Sequence, residues 1–263
     1  MTDETTEPAV TMQRFHQQRH RAESFGGIAE AYDQVRPTYP PGLIDDLVAL
    51  APADVLDIGA GTGRVAALLA ARGLRVLGVE IDPQMAEVAR GHGIEVEVAS
   101  FEAWDPAGRR FDLAVSGQAW HWVDPEIGVP KLAAVLRAGG TAALFWNSAT
   151  LDSGTQAVLD GVYREYAPEL LNGNAGRRSE PPFADDLEAS GLFARVERRS
   201  YAWEHVYTTE EWVRLIQTHS DHVTLDPARR APLIAAVTAG LDAHGGRVVT
   251  PYSTYALFAR VPS

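Results

Sequence analysis

A doubly wound α/β fold, a mostly parallel sheet with helices on both faces, is what this sequence predicts, on three observations. Between residues 43 and 147, short apolar runs alternate with stretches of helical spacing, the pattern of a parallel sheet. The first run, Val55–Ile58, leads straight into a turn that carries Gly59, Gly61 and Gly63. The chain has 263 residues and is 46% hydrophobic, which suffices for the core of one large domain, with or without a small cap.

The elements follow in order. Residues 1–10 are acidic and polar and read as a tail, without the basic start and apolar stretch of a secretory signal. Residues 11–24 hold no Gly or Pro and predict a helix, interrupted at Gly26-Gly27. A short helix over Ile28–Val35 precedes Arg36-Pro37-Thr38-Tyr39-Pro40-Pro41, an extended linker. Leu43–Leu50 has helical spacing, and Val55–Ile58 is a buried strand. A helix over Val65–Arg72 ends at Gly73, Arg75–Val79 is a strand, and Pro83–Arg90 is a helix with Asp82 as its N-cap. Ile94–Ala99 alternates as a half-exposed strand, and Phe111–Val115 is another. The helix over Glu126–Leu136 and the strand over Thr141–Trp146 complete the alternation. The last third predicts helices over Leu151–Tyr166 and Phe183–Ser190, with a loop at 172–182 between them. Two long strands, Ala194–Tyr207 and Arg247–Val261, then flank helices over Thr209–Thr218 and Pro227–Ala243.

The net charge is −12, from 23 basic and 35 acidic residues, which disfavours general affinity for nucleic acid. The local cluster Arg14, His16, Arg19, His20 and Arg21 reads as a solvated helix face. There is no cysteine, so disulfides, thiolate metal sites and cysteine nucleophiles are excluded. No apolar run approaches the roughly 20 residues of a membrane helix. The expectation is a soluble cytoplasmic protein, monomer or homodimer, with no nucleic-acid or membrane partner.

Chemistry concentrates in VLDIGAGTGR, residues 55–64. Glycine lets the strand turn sharply there and lets a ligand come close. Asp57 stands inside the strand end, where it would repel phosphates and welcome an ammonium group. Glu80, ending the strand of VLGVEIDPQM (76–85), is placed to accept both ribose hydroxyls of an adenosine. Arg64 stands where the dinucleotide pattern G-x-G-x-x-G requires its last glycine. The same glycines would also serve a plain strand-to-helix turn.

With these motifs the chain resembles the class I S-adenosylmethionine-dependent methyltransferases. FDLAVSGQAWHWVD (111–124) and SFGGIAEAYDQVRPTYP (24–40) resemble the subgroup that includes trans-aconitate methyltransferase. The resemblance implies a Rossmann-like, seven-stranded, mostly parallel sheet whose last two strands form an antiparallel pair. It implies a tail and helical cap at 1–40, a cofactor-binding core at 41–150, and a C-terminal part at 151–263 that completes the sheet and roofs the substrate. It implies S-adenosylmethionine as cofactor, S-adenosylhomocysteine as product and a small-molecule acceptor. Gly59, Ala60 and Gly61 would line the methionine part of the cofactor and Asp57 would face its amino group. Glu80 would take the ribose, with Ile81 on the adenine and Ser100 and Phe101 at its edge. Many relatives carry an acid in place of Ser100, a role open here to Glu102. Gln118 and Ala119 would sit by the sulfonium, and Tyr32 and Arg36 would close over the methionine end.

His121 and Tyr32 are the candidate catalytic residues, His121 as a general base. Trp120, His121 and His222 are the candidate substrate contacts, although the aromatic pair Trp120 and Trp122 would equally serve as packing. His205, His219 and His222 lack a matching carboxylate constellation, so no metal site is expected. Two rivals remain: an NAD-dependent oxidoreductase, and a non-catalytic protein that holds S-adenosylmethionine.

Overall fold

The computed structural model describes Gly27 and residues 29–171 and 183–263. The predicted helix at 11–24, the basic cluster of Arg14 to Arg21 and the predicted loop at 172–182 lie outside the described residues.

Helices α1 (Ala29–Val35) and α2 (Pro41–Ala49) precede the first strand. The alternation then runs β1 (Asp54–Ile58), α3 (Arg64–Ala70), β2 (Arg75–Glu80), α4 (Pro83–Gly91), β3 (Glu95–Val98), β4 (Phe111–Gly117), α5 (Pro125–Val135) and β5 (Leu136–Ala149). Beyond it lie α6 (Ser153–Tyr166), α7 (Phe183–Ala189), β6 (Arg195–Thr208), α8 (Thr209–Ile216), α9 (Ser220–Val223), α10 (Pro227–Ala243) and β7 (Arg247–Arg260). Local chemistry marks several starts. Asp82 accepts from the amides of Gln84 and Met85, and Pro83 opens α4 with φ already fixed. Asp124 and Asp152 cap α5 and α6 in the same way, and Thr208 with Glu211 forms a reciprocal capping box on α8.

Seven strands form one sheet in the order β3-β2-β1-β4-β5-β7-β6. The first five are mutually parallel, and β7 runs antiparallel between β5 and β6. Strand order reverses between β1 and β4, where a crevice opens at the carboxyl edge of such sheets. Leu56, Ile58, Leu132 and Leu144 fill the core on one face, and Leu43, Leu47, Leu69 and Phe145 fill it on the other.

Two features depart from the sequence expectation. Strand β5 begins at Leu136 rather than Thr141, because a step of two residues from Phe111 to Leu113 meets a step of five on β5. That bulge turns at Gly139, in the left-handed region (φ 72°). A short turn of helix, α9, also lies between the helices predicted over Thr209–Thr218 and Pro227–Ala243.

A third apolar cluster joins α6, α8 and α10 through Leu159, Trp212, Ile216 and Leu233. It rests on Tyr207 and Tyr252, which lie where β6 and β7 reach the carboxyl end of β5. These helices therefore stand at the edge where the crevice opens. Among the described residues no helix is long and apolar enough to cross a membrane.

Candidate active site

The chain leaves β1 through Gly59, at φ 66°, where a Cβ would come 2.5 Å from the Cβ of Ala119. A side chain is therefore refused twice, by backbone conformation and by space. Gly61, at φ 56°, has nothing within 4 Å of its missing Cβ. Its open side belongs to a cleft lined by the strand ends around Asp57, Glu80 and Gln118. The amides of Gly59 and Ala60 donate to Val79 O at 2.9 and 3.1 Å, locking the turn onto β2.

Two carboxylates stand at the strand ends beneath this cleft. Asp57 is 1% exposed, and neither of its oxygens has a hydrogen-bond partner. Burial pushes its carboxyl up to about 7, opposed by the nearby Ala66 amide, which stands outside hydrogen-bond geometry, and helped by the charge of Glu80. Glu80 is also buried, but it accepts from Gly61 N at 2.7 Å and from Asp82 N at 2.9 Å. Its carboxyl also lies above the ordinary range, chiefly because of burial, with those amides opposing the shift. A carboxylate offers about four lone-pair sites, so Glu80 keeps capacity for further donors. Together the pair makes an electronegative floor suited to a ligand with a cation and hydroxyl groups.

The walls come from the ends of the neighbouring strands. Ile81, Met85, Ser100, Phe101, Gln118 and Ala119 all line the cleft. Gln118 adopts φ 58°, a conformation rare for a side-chain-bearing residue and frequent at functional sites. Its amide donates to Phe145 O at 2.8 Å and its Nε2 to Asn147 O at 3.3 Å, which hold it there. Ser100 accepts from Ala103 N at 3.3 Å, and Glu102, also on the wall, accepts from Asp124 N at 3.0 Å.

The fold brings Tyr32, Asp57, Gly59, Ala60, Gly61, Glu80, Ile81, Ser100, Phe101, Gln118 and Ala119 to one cleft. Four expected residues are not on its wall. Arg36 lies behind Tyr32, its guanidinium 4.6 Å from that ring, and donates to Thr218 O at 2.7 Å. Trp120 is 1% exposed, in the sheet core beside Phe101; it packs rather than faces substrate. His121 accepts at Nδ1 from Trp146 Nε1 at 3.3 Å. A neutral ring then carries its proton on Nε2 and offers no lone pair for a substrate proton, which does not suit a general base. His222 is buried in the helical cluster.

Sequence reasoning missed several lining residues: Tyr39, Thr62, Arg64, Val65 and Met85. Arg64 is the instructive one. One of its η-nitrogens donates to Asp33 O, and the other to Arg36 O at 2.5 Å. It thus ties the last turn of α1 to the glycine turn, and His92 adds a contact to Asp33 at 2.8 Å. The signal was Arg64 itself, a long cation at a position that a dinucleotide turn keeps for glycine. Tyr39, in the linker before α2, meets Phe145 edge-on at 4.9 Å and also reaches the cleft.

The expectation of no metal site meets a second finding. His219, Asp221 and His222 place one ligand atom each within 4.8 Å of one another, so the carboxylate missing from the sequence pattern is supplied by Asp221.

Comparison with known proteins agrees with this geometry. A family profile described as a methyltransferase domain matches residues 55–140. An uncharacterized methyltransferase of Mycobacterium tuberculosis is 33% identical over 224 residues, 84% of this chain and 86% of that protein. The trans-aconitate 2-methyltransferase of Methylobacterium radiotolerans is 28% identical over 207 residues, 73% of this chain and 78% of that protein. Among solved structures, a candidate type II methyltransferase from Anaeromyxobacter dehalogenans shares the fold. It has a TM-score of 0.60 at 24% identity, over 87% of this chain and 99% of that one.

Proposed function

Because the chain belongs to the class I S-adenosylmethionine-dependent methyltransferases, we propose that it methylates a small-molecule acceptor in the cleft at the carboxyl edge of its sheet, leaving S-adenosylhomocysteine. The observation that carries this reading is Asp57, a buried carboxylate without a partner on the floor of that cleft. Such a group is costly unless the ligand brings a cation. The phosphates of a dinucleotide would make the cost worse, and the amino group of a methionine moiety would remove it. When bound, S-adenosylmethionine supplies a methyl carbon made electrophilic by its sulfonium.

The remaining roles belong to this chain. Asp57 holds the ligand ammonium. Glu80, fixed by the amides of Gly61 and Asp82, accepts the ribose hydroxyls. Ile81 covers the adenine, with Ser100, Phe101 and Glu102 at its edge. Gly59, Ala60 and Gly61 border the methionine part, and Gln118 and Ala119 border the sulfonium. Tyr32 closes the methionine end from the wall, with Arg36 behind it and Arg64 holding the end of the helix that carries Tyr32. The cluster of α6, α8 and α10 forms the roof over the acceptor.

Among the described residues no histidine lines the cleft. Burial holds the Tyr39 phenol far above its ordinary range, so it serves as a donor and not as a base. The wall therefore suits an acceptor whose nucleophile is already anionic, such as a carboxylate or enolate, because these need no proton removed. Calorimetric titration with S-adenosylmethionine, S-adenosylhomocysteine and NAD, followed by a labelled-cofactor screen of small acids, phenols and quinone-like compounds, tests the proposal. Binding of both sulfur nucleosides, no heat with NAD and turnover of a small acid are expected. Turnover only on RNA or protein would remove the small-molecule acceptor.

A further inference from the structure

Between α8 and α10 the chain makes one tight turn that carries His219, Asp221 and His222. None of the three lines the cleft. His222 is 2% exposed, and both of its ring nitrogens are committed. Its Nδ1 lies 2.8 Å from Asp221 Oδ1, and its Nε2 lies 2.8 Å from the hydroxyl of Tyr163 on α6. The His219 ring stands edge-on to it at 6.0 Å between centroids. A single ligand atom from each of the three side chains falls within 4.8 Å of the other two.

We propose that His219, Asp221 and His222 form a site for a divalent transition-metal ion, zinc above all, held at the junction of the two roof helices. Two imidazoles and one carboxylate are the donor set that zinc accepts in three-ligand sites, leaving a fourth position for water. Nitrogen and oxygen ligands at about 2.0–2.1 Å from a tetrahedral ion stand about 3.3 Å apart. The 2.8 Å contact of His222 with Asp221 therefore has to open by about half an ångström, and a pair at the 4.8 Å limit has to close by about 1.5 Å, to seat one. Tyr163 then completes the arrangement. With Nδ1 on the ion, His222 carries its proton on Nε2 and donates it to the Tyr163 hydroxyl, the outer hydrogen bond that fixes a ligating imidazole. The ion would bind one residue beyond Thr218, whose carbonyl accepts from Arg36. It would thus stiffen the segment that joins the roof to the N-terminal helix α1. The methyl-transfer proposal does not depend on this site.

Full-length protein free of any polyhistidine tag and stripped with chelator is titrated with zinc and with cobalt(II). One equivalent is expected to bind, with the intense visible absorption of tetrahedral cobalt and a rise in Tm that chelator reverses. His219→Ala and Asp221→Asn keep the buried His222–Tyr163 contact and are expected to weaken binding at least about tenfold. Tyr163→Phe is expected to weaken it about 10- to 100-fold, with the S-adenosylhomocysteine affinity of all three variants unchanged. No saturable binding of either metal, or binding that survives intact in His219→Ala and Asp221→Asn, would overturn the site.

Discussion

Strand β1 carries two aspartates three residues apart, Asp54 at its start and Asp57 near its end, and their surroundings are opposite. Asp54 accepts from Arg137 at 2.6 Å and also pairs with Arg75. Arg137 reaches across to Asp112 at 2.7 Å. Asp112 in turn accepts from the amides of Ala53 and Asp54 at 2.9 and 3.0 Å. The Arg137 hydrogen bond holds Asp54 below the ordinary carboxylate range. At Asp112 burial acts upward, and the Asp54 amide with Arg137 more than reverses it. Asp57 has no such partner, and burial takes it to about 7. The amino edge of the sheet is thus a completed ionic network that stabilises the fold. The carboxyl edge keeps a carboxylate without a partner, and on the proposed function this contrast separates the stabilising end from the working end.

Asp57→Asn should break the contrast most severely. Affinity for S-adenosylhomocysteine is expected to fall roughly 10- to 100-fold, the loss of a charge-assisted hydrogen bond, as read by calorimetry. Stability at pH 8 should rise at the same time, by up to about 4 kcal/mol, or about three pKa units. The sign follows from protons bound. Native Asp57 keeps its proton to about pH 7, whereas the unfolded chain releases it near pH 4. Stability of the protein without ligand therefore falls between those limits and is level above them. The amino edge has the opposite sign. Asp54 and Asp112 lose their contribution as pH drops below the unfolded carboxylate value and through the lowered native one.

Glu80→Ala comes next, because it removes the proposed ribose acceptor and also strands the amides of Gly61 and Asp82. A loss of about 1–3 kcal/mol in stability should accompany the loss of binding, and Glu80→Gln should recover part of the first only. Arg64→Ala should release α1 from the glycine turn. Faster proteolysis near Arg36 and a raised KM with little change in kcat are the expected readouts. Asp54→Asn should have the smallest effect, a loss of about 1 kcal/mol in stability and none in cofactor affinity. A large affinity loss there would erase the distinction between the two edges.

The sheet was legible in the sequence because parallel strands buried on both faces are nearly continuous apolar runs, and Val55–Ile58 and Phe111–Val115, each broken by a single aspartate, left little else to read. The start of β5 was not, since residues 137–140 join it through a bulge that has no apolar period. The floor of the cleft was legible because glycine and carboxylate at a strand end have few other uses. Trp120, His121 and His222 were not, because an aromatic or imidazole at a loop has the same letter in a core as on a wall. The places of Arg64 and Tyr39 on the cleft wall were not legible either, since they depend on α1 folding back onto the sheet, a contact between distant segments.

The most direct test of the account is titration of wild-type protein and Asp57→Asn with S-adenosylhomocysteine from pH 5.5 to 7.5. Wild-type affinity is expected to climb as the pH rises toward about 7, where Asp57 ionises, and to be flat with pH in the variant. Wild-type affinity independent of pH, or the same slope in both proteins, would contradict an ionised Asp57 as the partner of the cofactor's amino group.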